Sequence, residues 1–406
     1  MTELPVLPAE RSLRAVLGEC LAACGVLPET EYAAAETERA VLAPAESAGA
    51  PETALAVLPE TARAGVLDLP RVSRVCLVLV DGLGAENLAA RIGHAPTLRA
   101  LTAREPLTST APSTTAAALT TLGTGELPGR TSMLSYSLRS PRTGRNFSLI
   151  SWENSGLDPE EWQRVPTWAQ RLEAARPGIA KQLGAIQDPD HIGSGLTRAA
   201  WRGFTAIGGP ALDDRVHLAA RFLCEGGRFA YLYWGDVDHR GHRWGATSEE
   251  WTMALEDLDA GIRLLTRLLP PDTLLVLTAD HGMVDPSERI DVATTPALSE
   301  GVDLYSGEER AVHLYTREPE AVAARWRDYL GERSWIYTKE EAIATGMFGP
   351  VTAQAREAMG DVLAFQRGRL SVVHTGQMQP GATFMRGVHG SLTPTEMLIP
   401  LLLELK

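Results

Sequence analysis

Three uninterrupted apolar runs punctuate the chain: VCLVLV at 75–80, FAYLYW at 229–234 and TLLVLTA at 273–279. Each ends on Gly or Asp. Runs of this kind predict strands buried on both faces, because a half-exposed strand alternates apolar and polar positions instead. Between them, apolar residues recur every three or four positions. This predicts helices over 83–91, 115–122, 161–175, 212–224 and 248–269. Strands alternating with helices point to an α/β fold, a mainly parallel sheet with helices on both faces.

Before the first strand, AVLGECLAACGVL carries Leu13, Val16, Leu17, Cys20, Leu21 and Cys24 at helical spacing. The embedded Glu19 suits an amphipathic helix packed on the domain better than an export signal. Residues 28–70, rich in Ala, Glu and Pro, read as a linker. The pattern therefore divides the chain into an N-terminal helix and linker (1–70), an α/β core (71–290 and 381–406) and an insertion (291–380). Within the insertion, VHLYT, WIYT, DVLAFQ and LSVVH read as strands, and AVAARWRDYL and EEAIATGM as helices, which makes it a smaller α+β cap. Residues 130–165 are loop-rich and suit the rim of a pocket. The last segment, SLTPTEMLIPLLLEL, is expected to return to the main sheet.

Composition adds limits. The 406 residues suffice for a large core, and 44% hydrophobic with 22% charged residues is ordinary for a globular enzyme. A net charge of −13 argues against a nucleic-acid polymer as partner, since phosphate-backbone binding needs clustered Lys and Arg. It does not argue against a small anionic substrate, because bound cations invert the local field. No stretch is long and apolar enough to span a membrane. Four cysteines, Cys20, Cys24, Cys76 and Cys224, form no disulfide framework, and a cytoplasmic setting is expected.

Each apolar run delivers polar residues at its end, where open α/β sheets assemble their sites. Asp81 follows the first run in LVLVDGLG. GDVDHRGHRWG follows the second and offers Asp238 with His242, four apart on one helical face, or alternatively Asp236 with His239. Asp280 and His281 follow the third in TADHGM. His389 stands in RGVHGSLTPTEM, where Ser391 or Thr393 could cap the following helix. APSTTAAALTT places Ser113, Thr114 and Thr115 just before an Ala-rich helix. Such hydroxyls commonly act as caps; beside a metal, one of them becomes a nucleophile and the helix N-terminus a phosphate site. Three Asp, three His and a hydroxyl are enough for two divalent ions roughly 4 Å apart.

In this order, the residues resemble the alkaline phosphatase superfamily, nearest its nucleotide pyrophosphatase/phosphodiesterase-like branch and the bacterial alkaline phosphatase family proteins. The likeness spans about residues 71–290 and 380–406 and includes PSTTA, SGLTRAA and HGSLTPTEMLIPLL. It implies an alkaline phosphatase-like fold and two divalent metal ions, zinc foremost, with manganese or iron the alternatives. It implies one metal on Asp81, Thr115, Asp280 and His281 and the other on Asp238, His242 and His389. Thr115 matches the family nucleophile, in a turn reading Pro, small residue, any residue, Thr. The branch carries an Asn three residues beyond its nucleophile, where this chain has Ala118. No Cys-x-Pro/Ala-x-Arg motif of the sulfatase branch is present.

The expected activity is metal-dependent phosphoester hydrolysis through a phosphothreonine, on a small phosphorylated substrate such as a nucleotide. The alternatives are a phosphomonoesterase, a phosphomutase or phosphotransferase, or a phosphonate hydrolase on the same centre, and a non-catalytic phosphate-binding protein.

Overall fold

The three long apolar runs become adjacent strands, and their pairing register decides where the site forms. The computed structural model describes residues 4–27, 66–378 and 382–406. The linker expected at 28–70 therefore lies mostly outside the described residues. Strands β1 (Arg74–Val80), β2 (Thr102–Ala103), β3 (Leu183–Gln187), β4 (Thr205–Gly208), β5 (Phe229–Trp234), β6 (Thr273–Ala279) and β11 (Leu402–Leu405) form one seven-stranded sheet. Its order is β2-β11-β6-β1-β5-β3-β4. The five strands from β6 to β4 run parallel, and β11 and β2 close one edge antiparallel. The mainly parallel α/β architecture is thus what the apolar pattern predicts. Every residue of β6 and all but one of β1 are buried, so neither strand has a polar face to alternate.

β3 and β4 were not among the predicted strands. LGAIQ and TAIG are short, and β4 is largely exposed at the sheet edge, so neither carries a strong apolar signature. One expected helix also divides. The 161–175 pattern forms two pieces, Pro159–Trp162 and Trp168–Ala175. Pro166 disfavours helical backbone at the residue before it, and Thr167 then starts a new helix with a complete capping box on Gln170.

The N-terminal helix α1 (Leu13–Ala23) is almost wholly buried and packs on β1 and on helix α2 (Thr115–Thr124). Helix α3 (Leu212–Cys224) covers β5 and β3, and α4 (Asp236–Trp244) packs on α5 (Glu249–Leu268). A second, four-stranded antiparallel sheet holds β7 (Leu304–Glu308), β8 (Ala311–Tyr315), β9 (Ser334–Thr338) and β10 (Val362–Gln366), in the order β7-β8-β10-β9. It has an apolar cluster of its own, in which Trp326, Leu314 and Val322 are fully buried. Among the described residues no helix is long and apolar enough to cross a membrane.

Candidate metal centre

Parallel pairing puts the carboxyl ends of β6, β1 and β5 side by side. Val80 is in register with Trp234 on one flank and Ala279 on the other, so Asp81, Gly235 and Asp280 emerge at one level. The Asp81 amide continues the ladder by donating to Trp234 O at 2.9 Å. The chain then turns sharply at Gly82, whose φ of +72° suits glycine. A Cβ built there would stand 2.9 Å from Asp238 Cβ, so only glycine lets the end of β1 lie against α4.

Two groups of three ligands result, each with donor atoms within 4.8 Å of one another: Asp81, Asp280 and His281, and Asp238, His242 and His389. Asp238 and His242 share one face of α4, a helix beginning directly after Gly235 rather than a loop. The competing pair forms no ligand group among the described residues: Asp236 binds Arg240 at 2.8 Å, and both Asp236 and His239 line the cavity above. His281 Nε2 is 3.4 Å from both Asp81 Oδ1 and Asp280 Oδ2, and the Thr115 hydroxyl lies 3.2 Å from the same nitrogen. In the second group, Asp238 Oδ2 is 3.3 Å from His242 Nε2 and Asp238 Oδ1 is 3.9 Å from His389 Nε2. The groups abut, with the rings of His281 and His389 stacked at 3.6 Å.

For the three histidines, Asp81 and Asp280, the protein holds one atom of the side chain and leaves the other free. All three histidines donate from Nδ1 to a backbone carbonyl, His242 to Gly387 at 2.8 Å, His281 to Gly282 at 3.1 Å and His389 to Ser113 at 2.9 Å. This fixes the tautomer whose Nε2 lone pair faces the cluster. Asp280 Oδ1 accepts the amides of Gly82 and His281, both at 3.0 Å, and Asp81 Oδ2 accepts the Tyr233 hydroxyl. Asp81 Oδ1, Asp280 Oδ2 and Asp238 Oδ1 are buried with no hydrogen-bond partner. Orphaned carboxylate oxygens are costly, and divalent cations satisfy them. The donor set thus fits a pair of metal ions. Nitrogen and oxygen donors of this kind suit zinc, without excluding manganese or iron.

Electrostatics agree. Burial, then the charges of Asp280 and Asp238, hold the Asp81 carboxyl well above its usual range. Burial raises Asp280 to about 7. His389 is pushed well below its usual value by burial and by the neighbouring His281 and His242. Buried this close together, Asp81 and Asp280 favour protonation unless positive charge sits among them.

Thr115 is the first residue of α2, and the preceding Thr114 makes no side-chain cap. Its hydroxyl instead hydrogen-bonds Glu308, leaving the first-turn amides of α2 uncapped. The hydroxyls of the turn are therefore not spent on capping, nor are those around His389. The helix Pro394–Met397 has no side-chain cap, contrary to the role expected of Ser391 or Thr393; Glu396 binds both residues instead. Ala118 is fully buried in α2 and offers a phosphate nothing. Asp285, outside the clusters, ties down Ala246 and Thr247.

Above the clusters opens a cavity of about 1020 Å³. The 130–165 segment supplies Tyr136 and Asn146 to its wall, and the smaller sheet supplies Tyr305 and Glu308. Of the tryptophans singled out as stacking candidates, Trp234 lines this cavity, whereas Trp152 is buried against Phe147 and Trp162. Trp244 is half exposed beneath Arg243. Sequence reasoning missed Tyr233 and Glu308. Tyr233 is hidden inside an apolar run, and Glu308 belongs to a distant segment with no motif around it.

A family model for type I phosphodiesterase/nucleotide pyrophosphatase matches residues 75–392, a span containing all seven clustered residues. The chain belongs to this family. It is accordingly a phosphoester hydrolase of the alkaline phosphatase superfamily, in a class of two-metal enzymes. The solved structure of human ectonucleotide pyrophosphatase/phosphodiesterase 5 matches with a TM-score of 0.63 at 18% identity, over 82% of this chain and 87% of that one. Its murine counterpart matches at 0.61 and 18%, over 82% and 88%; a threonine-to-alanine variant of it, described as inactive, is in complex with AMP. Phosphonoacetate hydrolase from Sinorhizobium meliloti 1021, in complex with phosphonoformate, matches at 0.60 and 17%, over 81% and 89%. These likenesses show a shared fold. No curated protein sequence matches the chain.

Proposed function

We propose that this family member is a two-metal phosphodiesterase or nucleotide pyrophosphatase in which Thr115 is the nucleophile. Asp81, Thr115, Asp280 and His281 would hold one metal, and Asp238, His242 and His389 the other. The observation that carries the reading is the pairing of two ligand triads, each with an orphaned carboxylate oxygen, beside the Thr115 hydroxyl at a helix N-terminus that has no side-chain cap. When bound, the cations would lower the pKa of the hydroxyl and offset charge on the transferred group.

The chain's own residues do the rest. Thr115 Oγ gives up its proton and bonds to phosphorus as the P–O bond to the leaving group breaks, producing a phosphothreonine. Water then attacks that phosphorus and Thr115 departs with a proton restored. The uncapped amides at the start of α2 donate to phosphoryl oxygens, doing the work of the family Asn at Ala118. The inactive threonine-to-alanine variant of the murine relative supports a threonine in this role, and its AMP ligand supports nucleotides as the substrate class.

A diester suits the cavity better than a monoester. Among the described residues, the arginine lining the cavity is Arg215, and it is occupied by Asp188 at 2.7 Å, Tyr233 O at 3.0 Å and Gly209 O at 2.5 Å. Hydrolysis of p-nitrophenyl phosphate, bis-p-nitrophenyl phosphate and thymidine-5′-p-nitrophenyl phosphate by zinc-loaded and chelated protein tests the reading. Zinc-dependent cleavage favouring the diesters is expected. Preference for the monoester would move the protein to the phosphatase or mutase reading, and inertness toward all three with zinc bound would refute hydrolysis through Thr115. The free cysteines, three of them buried, support a cytoplasmic setting, which cell fractionation checks.

A further inference from the structure

His389 stands in a loop that belongs to neither sheet, and what steadies that loop comes from the smaller sheet. Arg310, between β7 and β8, and Glu396 form an ion pair in which both side chains are completely inaccessible. The guanidinium meets the carboxylate with both arms, Nε to Oε1 at 3.0 Å and Nη2 to Oε2 at 2.6 Å, while Nη1 donates to Leu370 O. Glu396 has acceptor capacity left, and the His389 loop uses it. Oε1 accepts the Ser391 amide at 3.0 Å and Oε2 the Thr393 hydroxyl at 2.5 Å.

From Ser391 the bonds continue into the turn that carries Thr115. Ser113 Oγ donates to Ser391 O at 2.7 Å, Ser113 N donates to Gly390 O at 3.2 Å, and Ser113 O accepts from His389 Nδ1 at 2.9 Å. His389 is thus oriented by a residue that the Arg310–Glu396 pair holds at one remove. The first triad meets this chain through the stacking of His281 on His389 and through main chain beside it, where Gly282 N donates to Glu396 O at 2.8 Å.

Burying two charges costs several kcal/mol per ion, and an apolar pair of similar volume is commonly as stable or more so. What an apolar pair cannot supply is directed hydrogen bonds to Ser391 and Thr393. We infer that Arg310 and Glu396 are positioning residues for the metal centre, holding His389 Nε2 in place. The smaller sheet is then part of the centre's support as well as a wall of the cavity. The inference rests on the two-metal reading.

The test is zinc affinity by chelator competition on the full chain, with His281→Ala and His389→Ala as reference proteins that assign each affinity to its triad. Two zinc ions on the wild-type protein are required first; fewer would overturn the two-metal reading itself, and the pair's role with it. The double variant Arg310→Met/Glu396→Met is expected to unfold, metal-free, within a few degrees of wild type. Its zinc affinity at the His389 triad should fall ~10–100-fold, the usual loss when a ligand's outer support is removed. Affinity at the His281 triad should stay within about threefold of wild type. Wild-type affinity at both triads, or equal loss at both, would overturn the inference and leave the pair a packing element. Should the double variant fail to fold, Ser113→Ala decides, since it removes only the hydroxyl link between Ser113 and Ser391. A several-fold loss confined to the His389 triad supports positioning, and unchanged affinity there overturns it.

Discussion

The two triads use similar residues but are built differently. Asp81, Asp280 and His281 stand directly at the ends of neighbouring strands, with side chains 4%, 0% and 0% exposed. Asp238, His242 and His389 come from a helix and a distant loop, with side chains 16%, 24% and 7% exposed. Sheet pairing is a regular lattice, so two strands in register deliver their end residues to one place with little freedom left. A helix and a loop meet only if something else holds them, here Gly82 against Asp238 and the Arg310–Glu396 network against His389. The first triad should therefore bind tightly and exchange slowly, and the second should be the labile half of the centre.

The largest expected effect leaves both triads in place. Thr115→Ala should lower kcat by ~10⁴-fold while zinc content stays at the wild-type value. Wild-type turnover in this variant, with Thr114→Ala inactive, would move the nucleophile by one residue. Next is metal removal. Zinc release into excess chelator, followed with a colorimetric indicator, should be biphasic, and the fast phase should be missing from His389→Ala. A single phase in the wild-type protein would erase the difference drawn between the triads.

A smaller change should narrow that difference from the other side. Tyr233→Phe takes away the hydroxyl that donates to Asp81 Oδ2. It should weaken zinc binding at the first triad ~10-fold and slow turnover comparably, with the second triad unchanged. Equal weakening of both would mean that they act as one unit.

The last prediction concerns a buried carboxyl outside both triads. Like Asp280, Glu19 of α1 is raised to about 7 by burial. Unlike Asp280, both its oxygens accept the Leu67 amide, at 3.0 and 3.2 Å, and no orphaned atom calls for a cation. Its folded value lies above the unfolded one of about 4.5, so its contribution is fully present below pH 4.5 and is lost as pH rises through about 7. The loss at alkaline pH amounts to at most about 3 kcal/mol. Glu19→Gln should leave thermal stability near pH 4 unchanged and raise it at pH 8. Identical pH profiles for the two proteins would contradict this, and added zinc should not alter the comparison.

The strands that carry Asp81 and Asp280 were legible because full burial removes alternation, and five or six apolar residues in a run ending before Asp leave few other readings. The helical face shared by Asp238 and His242 was legible for the same kind of reason, a fixed spacing of four. Tyr233 was not, because a tyrosine within an apolar run looks like core. The break at 163–167 was misread as continuous helix because apolar periodicity runs across it, and the proline signal was outweighed.

Sequence alone determined the α/β class, the strand ends and the residue types on offer, since periodicity, spacing and side-chain chemistry are local properties. That Glu308 enters the cavity, only the tertiary structure decided. So too with Arg310, 79 residues before His389, which steadies its loop through Glu396. Such contacts form between segments whose encounter depends on how two sheets pack, and no pattern within either segment records the other.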